Sequence, residues 1–203
     1  MGMTLMRLIA SPTLILTNRE AKEAKLKDFI AEDLAARKAG ARDGAPLRYT
    51  VVARAHDSVV AHVLKGAAAD IHAAGLAIAV VLFESETYFE ETAPSASLLD
   101  VADIECRFLR DQRFAAAHEQ LVLNTGRVWI GDCMRRDPSK RDAFELFHAD
   151  NTPAALHASL SFNRLWDLAK PDQRMAGASS IAPGFLLAGE TEQPAQRPAS
   201  ARR

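Results

Sequence analysis

The sequence is poor in cysteine and has no ligand spacing typical of a metal site. Its two cysteines, Cys106 and Cys133, lie in or beside apolar runs, and neither belongs to a CxxC pair or a Cys/His pattern. We expect buried, reduced thiols, with a disulfide as the alternative. Walker, GxGxxG and GxSxG motifs are also missing. We therefore predict no metal and no cofactor.

The charges nearly cancel, and no apolar run is long enough to cross a membrane. The formal net charge is -1 at pH 7, so nothing global attracts nucleic acid or a membrane, and any anion site must be a local cluster. Residues 1–17 are apolar but too short for a bilayer. They also lack a clean small-residue cleavage site. These absences predict a cytoplasmic protein with no membrane span.

What is present is the composition of an ordinary globular domain. The 203 residues are 48% hydrophobic and 25% charged, which suits one domain whose core needs no disulfide. We divide the chain into an N-terminal strand and helix extension at 1–46, an α/β domain at 47–170 and a flexible C-terminal tail at 171–203. The tail is polar and contains proline, a composition typical of disorder.

A helix is predicted close to the N-terminus. Thr17 and Glu20 have capping-box spacing, and the pattern continues to about Gly40. Apolar residues recur every three or four positions at Leu26, Phe29, Ile30 and Leu34. One face of this helix must therefore pack on something, but the sequence does not say whether it packs on the α/β domain.

The domain itself begins with a βαβ unit. A strand at 47–55 is followed by a helix capped by Asp57 or Ser58 and by a continuous apolar strand at 76–84. Two strands joined by a helix of this length run parallel.

Further elements alternate up to a closing amphipathic helix. A short helix, a strand, a hairpin and another strand are predicted at 94–103, 104–110, 117–132 and 143–149. The closing helix is capped at Thr152, and its predicted buried residues are Leu156, Leu160, Leu165 and Trp166. Trp129 alternates with Val128 and Ile130, so it faces away from them. Core packing is the favoured interpretation, and a dimer surface is the alternative.

With this order of elements, the stretch "HEQLVLNTGRVWIGD" resembles one half of the phospholipase D superfamily. The family motif is HxKxxxxD, followed by glycine and then by a strand that ends in a glycine-serine pair. His118 falls on the motif histidine, Gly126 on the glycine, and "VWIGD" on that strand. Glu145 matches the family's acidic position, and "SFNRLWDLA" matches the closing helix. The resemblance implies a phospholipase D-like half-domain of the α/β class, with a mixed, mostly parallel sheet flanked by helices.

The sequence departs from the family at the residues that handle phosphate. Gln120 replaces the motif lysine, Thr125 the aspartate, Asp132 the serine and Met134 the asparagine. In the family, one histidine attacks phosphorus to form a phosphohistidine while lysines hold the non-bridging oxygens. Glutamine carries no charge, and Asp132 adds an anion where a phosphate would enter. Since losing one preorganised donor costs roughly 3–4 kcal/mol, the resemblance implies a catalytically degenerate member.

Two sets of residues are candidates for a site. His118 is either a nucleophile held by Glu145 or a relic histidine with a structural hydrogen bond to that carboxylate. Phosphate-binding candidates are Gln120, Arg135, Arg136 and Arg141. The alternative for the arginine run is a solvated, charge-balanced loop. His56 and Asp57 follow the first domain strand, where α/β ligands gather, although a helix cap is the simpler interpretation.

Three functional hypotheses remain open. The favoured one is a degenerate domain that binds a phosphate-bearing ligand, such as nucleic acid, or a protein partner. The second is an active phosphodiesterase or nuclease that works as a homodimer through a phosphohistidine at His118. The third is an unrelated α/β domain used for protein contacts. A homodimer around the motif edge is predicted, because a lone half would expose Val128 and Ile130; the N-terminal helix is the competing cover for that surface.

Overall fold

The computed structural model describes residues 13–40, 47–83, 104–114, 116–133 and 143–171. All of them belong to one compact unit, Met1–Asp172. The short helix predicted at 94–103, the arginines at 135, 136 and 141, and the predicted tail beyond Pro171 lie outside the described residues.

The described residues form an eight-stranded sheet in the order β1-β7-β6-β5-β2-β3-β4-β8. Its strands are β1 (Thr13–Thr17), β2 (Arg48–Ala53), β3 (Ala77–Leu82), β4 (Ile104–Phe108), β5 (His118–Val122), β6 (Val128–Cys133), β7 (Ala143–His148) and β8 (Lys170–Pro171). The α/β class and the mixed sheet are confirmed. β2–β3 and β3–β4 pair in parallel, whereas the other neighbours in this sheet pair antiparallel.

The expectation of a mostly parallel sheet was therefore wrong, and the connections explain why. β5 and β6 are joined by a tight hairpin turn, and the chain between β6 and β7 is too short to carry a crossover. Parallel neighbours need a connection of a dozen or more residues, which β2–β3 and β3–β4 have.

The βαβ unit has the predicted form. Helix α2 (Val59–Ala73) begins after Ser58, whose side chain accepts a hydrogen bond from the Ala61 amide. It ends at Ala73, and Gly75 beyond its cap has a φ of +70°, a left-handed conformation that glycine adopts without strain. Because β2 and β3 are parallel, their carboxyl ends and the start of α2 lie at one edge of the sheet.

Helix α1 (Arg19–Lys38) packs on one face of the sheet beside α2. Its cap is Asn18, one residue after the predicted Thr17, and the Asn18 side chain accepts from the Ala21 amide. The four apolar residues predicted to form its inner face, Leu26, Phe29, Ile30 and Leu34, are all buried in the main core. The N-terminal helix therefore docks on the α/β domain, which the sequence had left open.

Helix α3 (Thr152–Leu168) covers the opposite face. It is capped by Asn151, again one residue away from the predicted cap. Its buried residues are Ala155, Ala158, Phe162 and Leu165. Leu165 was predicted correctly and Trp166 is half-buried, but Leu156 and Leu160 are 58% and 51% exposed. The small alanines, rather than these leucines, face the sheet and allow the helix to approach Val122 and Val128 closely.

Candidate functional site

His118 lies at the edge of the sheet that is formed by the carboxyl ends of β2 and β3, where α/β proteins commonly bind their ligands. It is the first residue of β5, which runs antiparallel to β2, so it lies at the carboxyl ends of β2 and β3. Its side chain is exposed, and Nδ1 is 3.1 Å from the carbonyl oxygen of Gly131. Because a carbonyl oxygen only accepts, Nδ1 carries the proton in this bond. A neutral His118 therefore presents an unprotonated Nε2.

Glu145 is buried and bound to partners other than His118. Its side chain has no exposed surface, Oε2 accepts a hydrogen bond from Trp129 Nε1 at 2.5 Å, and Oε1 lies 3.0 Å from Lys22 Nζ. Trp129 and Phe147, two residues along from Glu145 on β7, belong to the core beneath α1 and α2. Within the described residues no hydrogen bond joins His118 to Glu145.

Strand alternation explains the separation. Gln120, Val122 and Ile130 face α3, as their pairing and their shared packing show. The β5–β6 register shifts between His118 and Gln120, but Glu119 between them turns towards Lys22 on the α1 face, so His118 shares the face of Gln120. Glu145 shares the opposite face with Trp129. A carboxylate on one face of a sheet cannot orient an imidazole on the other.

Lys22 joins two buried carboxylates. Besides Glu145, its Nζ lies 3.6 Å from Glu119 Oε2, and it sits 5.0 Å from the centre of the Trp129 ring. Glu119 also accepts a hydrogen bond from the Arg54 amide at 3.0 Å. Sequence reasoning missed Lys22 and Glu119, although one signal existed: Lys22 lies four residues before Leu26, on the helix face that was expected to be apolar.

Gly131 is required by the way Trp129 packs. A Cβ atom at this position would lie 2.2 Å from Trp129 Cζ2, 2.6 Å from Cη2 and 3.0 Å from Glu145 Oε2. The indole therefore occupies the space that any other side chain would need. The glycine that resembles the family's glycine-serine pair here makes room for the Trp129–Glu145 hydrogen bond.

Gln120 is turned away from solvent. It is 6% exposed, and its Nε2 donates to the Ala158 carbonyl oxygen of α3 at 2.9 Å. The amide donor predicted to bind phosphate thus satisfies a buried backbone group instead. Such a group is costly to leave unpaired, which gives Gln120 a structural reason to be polar.

A second polar network lies under α1, around Asp33. This fully buried carboxylate accepts from Arg37 Nε and from the Tyr49 hydroxyl, both at 2.8 Å, and from Asn124 Nδ2 at 2.5 Å. Burial, followed by the neighbouring charge of Asp33, raises the pKa of the Tyr49 hydroxyl above its ordinary range. Asn124, predicted simply as a turn residue, therefore links the hairpin to α1.

Other candidate residues collect at the edge near His118. Extending the β2–β5 register by two residues places Arg54 opposite His118. His56 and Asp57 follow directly, and the cap itself is Ser58. β6 ends at Cys133, which pairs with His118. Arg135, Arg136 and Arg141 lie outside the described residues, as does the Asp132 side chain.

Within the described ranges, no three or more His, Cys, Asp or Glu side chains cluster in a way that could hold a metal ion. Over the same residues, no helix has the length and apolar character needed to span a membrane.

Comparisons with known proteins find similar folds but no close relative. No family model and no curated protein matches the chain. Similar solved structures include NucT from Helicobacter pylori, at 9% identity over 79% of this chain and 98% of that one, with a TM-score of 0.48. Nuc from Salmonella typhimurium, a phospholipase D family member, shares 12% identity over 79% and 98% of the two chains, with a TM-score of 0.46.

A third similar structure is TrmBL2, an archaeal chromatin protein with a novel mode of DNA binding. It shares 13% identity over 82% of this chain, with a TM-score of 0.49, and this chain spans 56% of its length. A phospholipase D family member is thus among the similar structures, as the sequence resemblance led us to expect.

Proposed function

We propose that this chain is a catalytically degenerate phospholipase D-like domain that binds a phosphate-bearing ligand at the edge around His118. The observation that carries the proposal is the position of Glu145. Its two oxygens contact Trp129 and Lys22 on the far face of the sheet, so among the described residues Glu145 is not the carboxylate that orients His118.

A neutral partner is a poor substitute for a carboxylate. The Gly131 carbonyl holds the ring in one orientation, but it carries no formal charge to stabilise the positive imidazolium that forms when Nε2 bonds to phosphorus and the leaving oxygen departs. The motif position that would supply a cation is equally lost, because Gln120 is neutral and its donor is bound to Ala158. The charged partner of the histidine and the motif cation would both act electrostatically, and electrostatic stabilisation of the transition state usually contributes most to catalysis.

Binding makes fewer demands than turnover. A phosphate needs donors and positive charge at an accessible edge, without a nucleophile in line. Arg54 and His56 come to this edge from β2, and His118 from β5. The run with Arg135, Arg136 and Arg141 follows β6 in the sequence, and β6 ends at Cys133, the partner of His118. Nucleic acid is the phosphate-bearing ligand that we would test first, because a row of cations suits a phosphate backbone.

The catalytic half of the proposal is tested by hydrolysis of bis-nitrophenyl phosphate. We expect negligible turnover, equal in the wild type and in His118→Ala. The exposed His118 makes one hydrogen bond to the backbone, so the variant should fold and serve as a valid control. Turnover that disappears in His118→Ala would establish an enzyme and contradict degeneracy.

The binding half is tested by fluorescence anisotropy with a short DNA or RNA at several salt concentrations. Charge reversal at positions 135, 136 and 141 should weaken binding by at least about tenfold and flatten its salt dependence. The matched control reverses three exposed lysines of α1, Lys25, Lys27 and Lys38. Equal losses in both triple variants would mean that only net charge matters and would remove the support for a site at this edge.

One observation favours the second candidate function, an active phosphodiesterase. In the neutral form of His118, the hydrogen bond to Gly131 assigns the proton to Nδ1 and leaves the lone pair on Nε2, which is the form a nucleophile needs. If arginines from 135–141 replaced the missing lysine, a slow reaction could follow. The hydrolysis assay above distinguishes this candidate from the degenerate one.

The homodimer around the motif edge was predicted because Val128 and Ile130 were expected to be exposed, and the structure gives these two residues another cover. Val128 is fully buried and packs on Ala155 and Ala158 of α3, and Ile130 packs against the same cluster. These residues therefore need no partner half to cover them. α1 covers the opposite face of the sheet. Dimerisation at the edge itself remains a prediction.

A further inference from the structure

Glu119 is a buried carboxylate one residue from the exposed His118. It is 5% exposed and turns to the face of the sheet that α1 covers, where its Oε2 lies 3.6 Å from Lys22 Nζ. A buried carboxylate loses hydration, which is costly unless its oxygens find partners in the protein. Its Oε1 accepts a hydrogen bond from the Arg54 amide, and this second contact connects Glu119 to the candidate site.

The Arg54 amide lies where β2 leaves the sheet. The pairing of β2 with β5 ends at Val52 and Gln120, two residues earlier, and the amide donates to Glu119 Oε1 at 3.0 Å. The carboxylate thus accepts from a backbone donor beyond the last pair of the ladder. It thereby fixes the direction in which the chain leaves β2.

The segment that begins at this bond, residues 54–58, carries two of the side chains proposed to bind phosphate, Arg54 and His56. Its far end is closed by a hydrogen bond of 3.1 Å from the Ser58 amide to the Ala55 carbonyl oxygen, and Ser58 caps α2. Glu119 holds its near end. Groups that are held in place before binding lose less conformational entropy when a ligand arrives, so they bind it more tightly.

Lys22 holds the carboxylate from α1. The lysine is 7% exposed, and its Nζ also lies 3.0 Å from Glu145 Oε1, so its ammonium group is placed between two buried acids. Its charge offsets that of Glu119, which would otherwise oppose an anion approaching His118. α1 therefore supports the edge around His118 from the other face of the sheet.

We propose that Glu119 is a positioning residue for the edge around His118. Held by Lys22, it fixes the Arg54 backbone and thereby the side chains of Arg54 and His56 for a phosphate-bearing ligand. This inference rests on the proposed function, because it assigns a role within that same site. It requires ligand binding to depend on whether residue 119 can accept a hydrogen bond, and not only on its charge.

A matched pair of substitutions separates the hydrogen bond from the charge. Glu119→Gln and Glu119→Met both remove the ion pair with Lys22 and keep a side chain of similar length, but only glutamine can still accept strongly from the Arg54 amide. Hydrogen exchange at the Arg54 amide, followed by NMR, measures this bond directly. Exchange should be at least about tenfold faster in Glu119→Met than in Glu119→Gln.

The consequence for binding is measured by fluorescence anisotropy with a short labelled single-stranded DNA. Glu119→Met should bind at least about fivefold more weakly than Glu119→Gln, which corresponds to about one lost hydrogen bond. Glu119→Gln should bind no more than about threefold more weakly than the wild type, since it keeps that bond. Asp33→Asn is the control for lost stability: it alters a buried carboxylate in the carboxyl-terminal half of α1 and should leave the affinity unchanged.

Three results would overturn the proposal. Equal exchange at Arg54 in the two variants would show that Glu119 does not hold this amide. Faster exchange in Glu119→Met with equal affinities would make the bond purely structural. A loss of more than about fivefold in Glu119→Gln would assign the effect to charge, and this comparison stands even if Glu119→Met does not fold.

Failure of the proposed function gives a different result. A wild type that binds no nucleic acid would refute nucleic acid as the ligand and, with it, the role of Glu119 in binding it. The exchange comparison would still decide whether Glu119 fixes the Arg54 backbone.

Discussion

Replacing Gly131 by alanine should destabilise the protein far more than one methyl group usually does. The backbone at this position can accept alanine, because Gly131 is not among the glycines with positive φ. The obstacle is steric: the new Cβ would lie 2.2 Å and 2.6 Å from two atoms of the fully buried Trp129 ring. The indole must therefore move, and its hydrogen bond to Glu145 at 2.5 Å must lengthen or break.

Two penalties combine in this variant. Overpacking a tight core costs about 1–3 kcal/mol, and losing a hydrogen bond to a buried charged group costs about 1.5–3 kcal/mol. We expect a loss of about 3–5 kcal/mol in the free energy of unfolding, a large fraction of the 5–15 kcal/mol typical of a domain. Lys22 still neutralises Glu145, which keeps the loss from being larger.

Urea unfolding, followed by circular dichroism and tryptophan fluorescence, measures this loss. Gly66→Ala is the matched control, since a Cβ at Gly66 in α2 meets no atom within 4 Å. It should stabilise the protein by about 0.5–1 kcal/mol, as alanine is the better helix former. In a Trp129→Phe background, where the two clashing ring atoms are gone, Gly131→Ala should cost at least about 1 kcal/mol less.

The reasoning fails if Gly131→Ala costs less than about 1 kcal/mol. It also fails if the cost is the same with Phe at position 129, because the clash would then not be the cause.

Two further substitutions test the buried polar groups. Asp33→Asn should lower the free energy of unfolding in urea by roughly 3–5 kcal/mol, because it leaves Arg37 without its buried carboxylate. The control Asp28→Asn, on the exposed side of α1, should lower it little. Equal losses in the two variants would contradict a stabilising network around Asp33. Burial lowers the pKa of His148 below 6.5, so the unfolded chain binds this proton more readily than the folded chain does. The stability that neutral His148 contributes is therefore complete above about pH 6.5. It is lost as the pH falls through the lower pKa of the folded state. The wild type should therefore lose stability relative to His148→Gln between pH 7 and pH 5, and a pH-independent difference would refute this.

The elements of this fold follow from local patterns. The βαβ unit, the hairpin at 117–132 and the three helices were predictable because apolar periods and cap residues act within one element. Errors there were small: both misplaced caps moved by a single residue, to Asn18 and Asn151. Neighbouring polar residues compete for a cap, and only backbone geometry decides between them.

Burial on α3 shows where pattern alone is insufficient. The helix has leucines on one side and alanines with Phe162 on the other. The sequence predicted Leu156, Leu160, Leu165 and Trp166 as the inner face, and the first two are exposed. The sheet instead required close approach over Val122 and Val128, which small residues permit and leucines do not.

The candidate site depended still more on tertiary structure. The sequence by itself showed a resemblance in which His118, Gln120 and Glu145 fall on motif positions, with glutamine where the motif has lysine. It could not determine the partner of each polar group, because those partners come from elements distant along the chain: Lys22 from α1 for Glu145, and Ala158 from α3 for Gln120. A buried charge or amide must be satisfied by whatever the packing brings within reach, and only the assembled fold decides which group that is.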